Sequence, residues 1–418
     1  MEKKKNMMIA QSGGPSSAIN ASIAGAISRS MAASDKIDKV YGAINGTEGL
    51  LQRKIINIKD QINNQDEIDQ LVHTPAQALG SSRYKIPKGE EGDKVFAEIL
   101  KILKDYNIGY FFFNGGNDSM DTVSRLAQYL AAHDEDIYAV GIPKTIDNDL
   151  IDTDHTPGFG SAARYVATSI SEVYMDTIVY NRPYVVICEI MGRNAGWLTA
   201  ASVLARRNGV TAPHLIYLPE IPFDPEDFIM RVRDRIDNSG EPQVIIAVSE
   251  GLKFADGSYI ADSGAVDSFG HPTLGGVASH LENLVIDNIG NGIKTRAIEF
   301  STMQRAAAHL ASKTDLDEAF QCGVRAVEAA LQGITDVMIT MERVSNLPYL
   351  VQYAATPLAN VANLERKVPL EWITNGGTDV SSEMVEYLTP LIRGAASPAI
   401  KGGLPIYFRF DWSKIVGP

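Results

Sequence analysis

Asp147 and Asp149 lie two residues apart in Pro143-Lys144-Thr145-Ile146-Asp147-Asn148-Asp149, a loop that follows an apolar run and carries a lysine near its start. Carboxylates at alternate positions of an extended chain can share one side. One could take a proton from a hydroxyl while the other tunes it or contacts a metal, and Lys144 could neutralise a phosphoryl group in transfer. The same residues also suit an ordinary turn, with Asn148 and the aspartates bonding their own backbone ahead of the next element.

Two further loops place paired glycines between an apolar run and a helical pattern: Ser12-Gly13-Gly14-Pro15-Ser16-Ser17 and Gly115-Gly116-Asn117-Asp118-Ser119. Bare backbone can approach an anion there while helix N-terminal N–H groups point at it. Alone, either is equally a tight strand-to-helix turn. Met191-Gly192-Arg193-Asn194-Ala195-Gly196 and Ser249-Glu250-Gly251 are similar breaks later in the chain. Cations occur at Arg83 after Gly80-Ser81-Ser82, at Arg193, at Arg296 and at Arg305. The guanidinium fork matches phosphate oxygens, although a lone arginine is more commonly a solvated charge.

Gly158-Phe159-Gly160-Ser161-Ala162-Ala163 fits the dinucleotide pattern G-x-G-x-x-A, but it follows Asp154-His155-Thr156-Pro157 and no apolar strand. A nicotinamide site is therefore not expected there. The chain has no G-x-x-x-x-G-K-[ST], and its seven His and two Cys have no zinc-ligand spacing.

Short Val-, Ile-, Tyr- and Phe-rich runs alternate with helical periodicity, the pattern of a parallel sheet with crossover helices. Strands are predicted near 7–11, 39–44, 109–114, 137–142, 184–190, 213–218, 243–248, 296–300, 336–341 and 350–354. Helices are predicted near 17–33, 91–105, 118–132, 160–178, 195–206, 225–237, 273–289, 315–332 and 380–389. In such sheets ligands bind beyond the carboxyl ends of the strands, which is where the unusual loops fall. The 418 residues, 45% of them hydrophobic, suffice for two or three domains.

A net charge of −13 disfavours nucleic acid and anionic membranes as partners. No apolar stretch approaches the roughly 20 residues of a membrane span, and the N-terminal apolar run is too short for a signal peptide. Cys188 and Cys322 sit in separate apolar runs and read as reduced core thiols, in keeping with a cytoplasmic location.

Taken together, the Gly-Gly loop ending in Asn20-Ala21, GGNDS, PKTIDND, MGRNAGW and Ser-Glu-Gly resemble the phosphofructokinase family, in the family's order over about residues 7–310. The resemblance implies an α/β fold of two Rossmann-like, doubly wound domains with the active site in the cleft between them. Residues 1–158 would bind the donor, completed by part of 303–375. Residues 159–302 would bind fructose 6-phosphate, completed by part of 376–418, and the tail beyond 310 is expected to pack on this second domain.

By the same resemblance Asp147 is the general base for the sugar 1-hydroxyl, with Lys144, Asp118 and Thr145 at the reaction centre. Gly13, Gly14, Arg83, Gly116, Asn117 and Ser119 face the donor. Thr145, Ile146, Asp147, Met191, Gly192, Arg193, Glu250, Arg296, Thr302 and Arg305 face the sugar phosphate, with Arg296 and Arg305 on the 6-phosphate. Asp118 and Lys144 stand where ATP-using members have glycines, which points to pyrophosphate as donor: a carboxylate at Asp118 repels a nucleotide's α-phosphate. Mg2+ is the implied cofactor, with Asn117 where relatives have an aspartate and Asp149 as another ligand. A homodimer or homotetramer with an inter-subunit phosphate contact is also implied. The rival readings are an ATP-dependent member, a silent sugar-phosphate-binding subunit and a nicotinamide-dependent dehydrogenase.

Overall fold

Met7 and Ile9 fall to one side of the first strand while Met8 and Ala10 fall to the other, and all four are fully buried. A strand buried on both faces belongs inside a sheet covered by helices. In the computed structural model, which describes residues 4–82, 84–266, 272–290 and 292–418, that strand is β1 (Lys5–Gln11). It is followed by α1 (Ile19–Ala32), β2 (Ile37–Ala43), α2 (Gly46–Leu51), β3 (Ile55–Asn57), α3 (Gln65–Val72) and α4 (Glu90–Asp105). β4 (Ile108–Gly115), α5 (Asn117–Ala132) and β5 (Tyr138–Pro143) complete the first run.

α6 (Phe159–Thr177) leads into a second run: β6 (Tyr184–Ile190), α7 (Trp197–Ala200), β7 (Leu215–Tyr217), α8 (Pro225–Asn238), β8 (Gln243–Ser249), β9 (Asp262–Val266), β10 (Pro272–Leu274), α9 (Val277–Ile289) and β11 (Lys294–Glu299). The chain then passes through α10 (Met303–Ala306) and α11 (Lys313–Leu331) to β12 (Val337–Asn346) and β13 (Tyr349–Pro357), and later to α12 (Ser382–Leu388).

The first sheet has seven strands in the order β13-β12-β5-β4-β1-β2-β3, parallel from β12 to β2 with an antiparallel strand at each edge. The second has the order β11-β6-β8-β7, all parallel. It too is buried on both faces, with Val186 and Cys188 on one and Val185 and Ile187 on the other. The doubly wound α/β expectation therefore holds. Cys188 and Cys322 are free and buried. Among the described residues no helix is long and apolar enough to cross a membrane.

Several predicted elements differ. The helix expected over 195–206 is one α-turn followed by a 3-10 turn at Ala201–Ala205, tightened where the Ser202 hydroxyl donates to the Thr199 carbonyl at 2.6 Å. The helix expected from 273 begins at Val277, because Gly275 and Gly276 have φ of 141° and 90° and interrupt the helical path. The strand-like Ile406–Phe410 is in no sheet; the Phe408 N–H donates to the Thr74 hydroxyl. Phe408 and Phe410 bury beside Met7 and Ile9, whereas Met384, Leu388 and Leu391 bury beside Val186. The tail thus divides between the two units instead of packing on the second alone.

Candidate active site

β1, β4 and β5 are neighbours in one sheet, so the loops that leave their carboxyl ends are brought side by side. β6 and β8 are likewise adjacent in the other. The five loops line one cleft of about 600 Å³, which includes Gly13, Gly14, Gly116, Asn117, Asp118 and Ser119 from the loops that follow β1 and β4. Lys144, Thr145, Ile146, Asp147 and Asp149 form its floor, and Met191, Arg193, Glu250 and Arg305 form the opposite wall.

Lys144 is only 3% exposed, and its Nζ donates to the Gly14 carbonyl at 2.7 Å. Gly13 has φ 80°, a conformation that favours glycine, and a Cβ there would come within 3.2 Å of that Nζ. Burial lowers the Lys144 ammonium to about 8 although Asp147 pulls it up, and Arg305 lowers it further.

Asp147 and Asp149 both titrate above the usual carboxylate range. For Asp147 burial is the main cause and Glu250 adds to it, while Lys144 and Arg193 oppose the shift. For Asp149 burial is again first, then Asp147 and Glu365. Between them Asn148 holds φ 56°. Its amide is fixed on both sides, accepting from the Thr156 N–H at 3.1 Å and donating to the Tyr387 hydroxyl at 2.8 Å. The Asp147 N–H donates to the Thr145 hydroxyl at 3.1 Å.

Asn117 donates through Nδ2 to Asp149 Oδ2 at 3.0 Å. The remaining oxygens, Asn117 Oδ1 and Asp149 Oδ1, are buried without a partner. Two such acceptors, an amide and a carboxylate, are the oxygen donors Mg2+ takes, so these residues fit the ion. Among the described residues, no group of three or more His, Cys, Asp or Glu could hold a metal.

On the opposite wall the Gly192 N–H donates to Glu250 Oε1 at 3.2 Å and the Ser249 hydroxyl donates to the Gly192 carbonyl at 2.5 Å. A Cβ at Gly251 would lie 1.9 Å from the Arg193 carbonyl oxygen, so only glycine lets these loops touch. Burial raises the Glu250 carboxyl, and the Gly192 N–H opposes the rise. Arg305 Nη1 reaches within 3.4 Å of where a Gly14 Cβ would be, so this guanidinium spans toward the glycine loop that follows β1.

Arg296 and Thr302 are exposed and do not line the cleft. Arg83 lies outside the described residues. The glycine pattern at 158–163 is occupied from within: Asp315 accepts from the Gly158 and Ser161 N–H groups at 2.8 and 2.9 Å. A carboxylate already fills the place a dinucleotide phosphate would need.

The cleft also contains residues the sequence did not single out. Lys85, Asn363, Leu364 and Glu365 line it. Asn194 donates to Glu365 at 3.1 Å, joining the second unit's loop to the tail, and the buried Gln304 accepts from the Met191 N–H at 3.2 Å. Asn194 and Gln304 each adjoin an arginine already suspected. Glu365-Arg366-Lys367 reads in sequence as a surface charge run.

The fold and the cleft together define a two-unit α/β protein with an anion-binding site between its sheets. The phosphofructokinase family model matches residues 6–353, and the chain belongs to that family. It is 40% identical over 402 residues to a protein of Halomonas elongata named pyrophosphate–fructose 6-phosphate 1-phosphotransferase, covering 96% of this chain and 94% of that one. A pyrophosphate-dependent phosphofructokinase from Nitrosospira multiformis superposes with TM-score 0.88 at 37% identity, over 99% of this chain and 98% of that one. One from Marinobacter aquaeolei gives TM-score 0.86 at 37% identity, over 97% and 96%.

Proposed function

We propose that this chain transfers a phosphoryl group from pyrophosphate to the 1-hydroxyl of D-fructose 6-phosphate, giving fructose 1,6-bisphosphate and phosphate, reversibly, in glycolysis or gluconeogenesis. The observation that carries the reading is the placement of Asp147 and Lys144 on one cleft floor, with Asp118 in the first turn of α5 beside them.

Asp147 accepts the proton of the 1-hydroxyl as its oxygen bonds to the transferred phosphorus, while the bond from that phosphorus to the bridging oxygen breaks and phosphate leaves. Lys144 offsets negative charge on the oxygens in transit, and Thr145 and Ile146 hold the approach to Asp147. Gly13, Gly14, Gly116 and Ser119 present backbone and hydroxyl groups to the donor. Asp118 is negative where a longer nucleotide would have to pass. Arg193 and Arg305 bind the 6-phosphate, and Glu250 accepts sugar hydroxyls, beside Met191 and Gly192. Asn117 and Asp149 would hold Mg2+, which neutralises donor charge when bound.

Residues 1–158 act as the donor unit and 159–302 as the sugar-phosphate unit, each completed by later segments. The exposure of Arg296 and Thr302 fits a homodimer or homotetramer in which one subunit's cation reaches its partner's 6-phosphate. We place the enzyme in the cytoplasm. Initial rates with fructose 6-phosphate, Mg2+ and either pyrophosphate or ATP test the proposal: a wild-type preference for ATP, or no turnover with either donor, overturns it.

A further inference from the structure

We infer that Arg366 is a positioning residue for phosphoryl transfer, a clamp from the chain's tail that sets the backbone carrying Asp147 and Asp149. Its Nη1 donates to the carbonyls of Thr153 and Asp154 at 3.0 and 2.6 Å, and its Nη2 to the Asn148 carbonyl at 3.2 Å. Nη2 also donates to the Tyr387 hydroxyl at 3.1 Å. The Arg366 N–H donates to the Asp149 carbonyl at 2.7 Å. One residue therefore grips both limbs of the loop that leaves β5, on either side of its bend.

That bend needs holding. Asn148 stands between the two aspartates at φ 56°, a conformation that costs a non-glycine residue free energy and persists where neighbours over-determine it. Arg366 holds the Asn148 carbonyl while Tyr387 holds its side-chain amide. The guanidinium also lies 4.6 Å from the centroid of Trp197, whose indole N–H donates to the Arg366 carbonyl at 3.0 Å. Trp197 directly follows the Met191–Gly196 loop on the other wall, so the clamp couples the base-bearing loop to the wall that faces it. Arg366 lies beyond the residues matched by the family model, which end at 353. Its guanidinium makes its bonds to backbone carbonyls and a tyrosine and does not line the cleft, so it acts through Asp147 and Asp149 and not on substrate.

This inference rests on the reading of Asp147 as the base, so Asp147→Asn is assayed in parallel. Arg366→Met keeps an apolar stem against Trp197 but removes the fork. A base displaced by about an ångström loses ~10²-fold in turnover, so kcat with pyrophosphate should fall by about that factor while KM for either substrate stays within roughly threefold. Guanidinium chloride at millimolar concentration should restore part of kcat per folded molecule, whereas a merely destabilised protein would gain nothing, since the salt is too dilute there to change stability measurably. Arg366→Lys should not restore it, since one ammonium cannot fork to carbonyls on both limbs.

A folded Arg366→Met enzyme with kcat within about twofold of wild type overturns the clamp, as does a loss of kcat that follows the melting temperature and shows no guanidinium rescue. If Arg366→Met does not fold, Tyr387→Phe decides. It deletes a single hydroxyl from the same network and should lower kcat several-fold at unchanged KM; unchanged kcat overturns the clamp. Turnover retained by Asp147→Asn would instead refute the base assignment and leave any Arg366 effect to be assigned elsewhere.

Discussion

Lys144 is bonded to Gly14: its ammonium donates to that carbonyl at 2.7 Å, anchoring a cation from the end of β5 to the loop that leaves β1. The lysine is thereby held at a fixed place beside the glycine loop that follows β1. Lys144→Gly should depress kcat with pyrophosphate by ~10²–10³, the usual cost of losing a charge stabiliser, with a smaller change in KM. Steady-state kinetics on both substrates check this, and a loss confined to KM would sink the role.

The pH profile should be bell-shaped. Asp147 must be ionised to accept a proton, and burial raises its carboxyl, so activity climbs with pH through that raised value. Lys144 must be charged, and burial brings its ammonium down to about 8, so activity falls as pH rises past there. Lys144→Arg, which cannot deprotonate in this range, should remove the alkaline limb from kcat/KM even if its rate is lower. An alkaline limb that survives in Lys144→Arg belongs to another group.

Removing the carboxylate at the base position should separate chemistry from binding. Asp147→Ala is expected to lose ~10²–10⁴ or more in kcat while fructose 6-phosphate still binds, because in the proposed reading the phosphate contacts come from Arg193 and Arg305. Calorimetric titration with the sugar phosphate, beside turnover measurements, distinguishes the two. Near wild-type turnover in this variant contradicts the assignment.

Donor exclusion and metal dependence have separate tests. Asp118→Gly should raise kcat/KM for ATP by removing a charge from the nucleotide's path, and no gain would mean that shape excludes ATP. EDTA should silence the wild type, since a polyanionic donor needs its charge neutralised. Full activity in chelator would show that Lys144 and the arginines suffice.

A last prediction concerns stability. Burial disfavours charge on His155, but the carboxylates of Glu318 and Asp154, at 2.7 and 2.8 Å from its two ring nitrogens, outweigh it and raise the imidazole to about 9. A folded value above the unfolded value of about 6.5 means this contribution is fully present below that pH. It is lost as pH rises toward about 9. Thermal unfolding between pH 6.5 and 9 should show a falling melting temperature, and His155→Gln should flatten that slope. An equal slope in the variant would show that His155 does not carry it.

The parallel sheets and five strand-end loops were legible because short β-branched runs followed by glycines have no other common fate in an α/β chain. Asp147, Lys144 and Arg193 announced themselves by lying in those loops. Glu365 and Arg366 did not, since an acid–base run far down the chain carries no local sign that it will fold back over the second half's wall. Gln304 was hidden for a related reason: its amide works by supporting the Met191 N–H, a partner more than a hundred residues away. Helix ends were misjudged where a serine hydroxyl or a glycine pair overruled the apolar period, as at Ser202 and at Gly275-Gly276.

The order of strands in the first sheet has a consequence for synthesis. β5 pairs with β12 on its outer side, yet the two are separated in the chain by nearly two hundred residues, among them the entire second sheet. A ribosome making this protein therefore exposes one edge of β5 until β12 has emerged, and Phe408 and Phe410 dock against the first core later still. The second sheet is complete before the first one is closed. Any nascent chain stalled before residue 337 carries an open parallel edge beside the Lys144 loop, the kind of template that chaperones shield and that aggregates recruit.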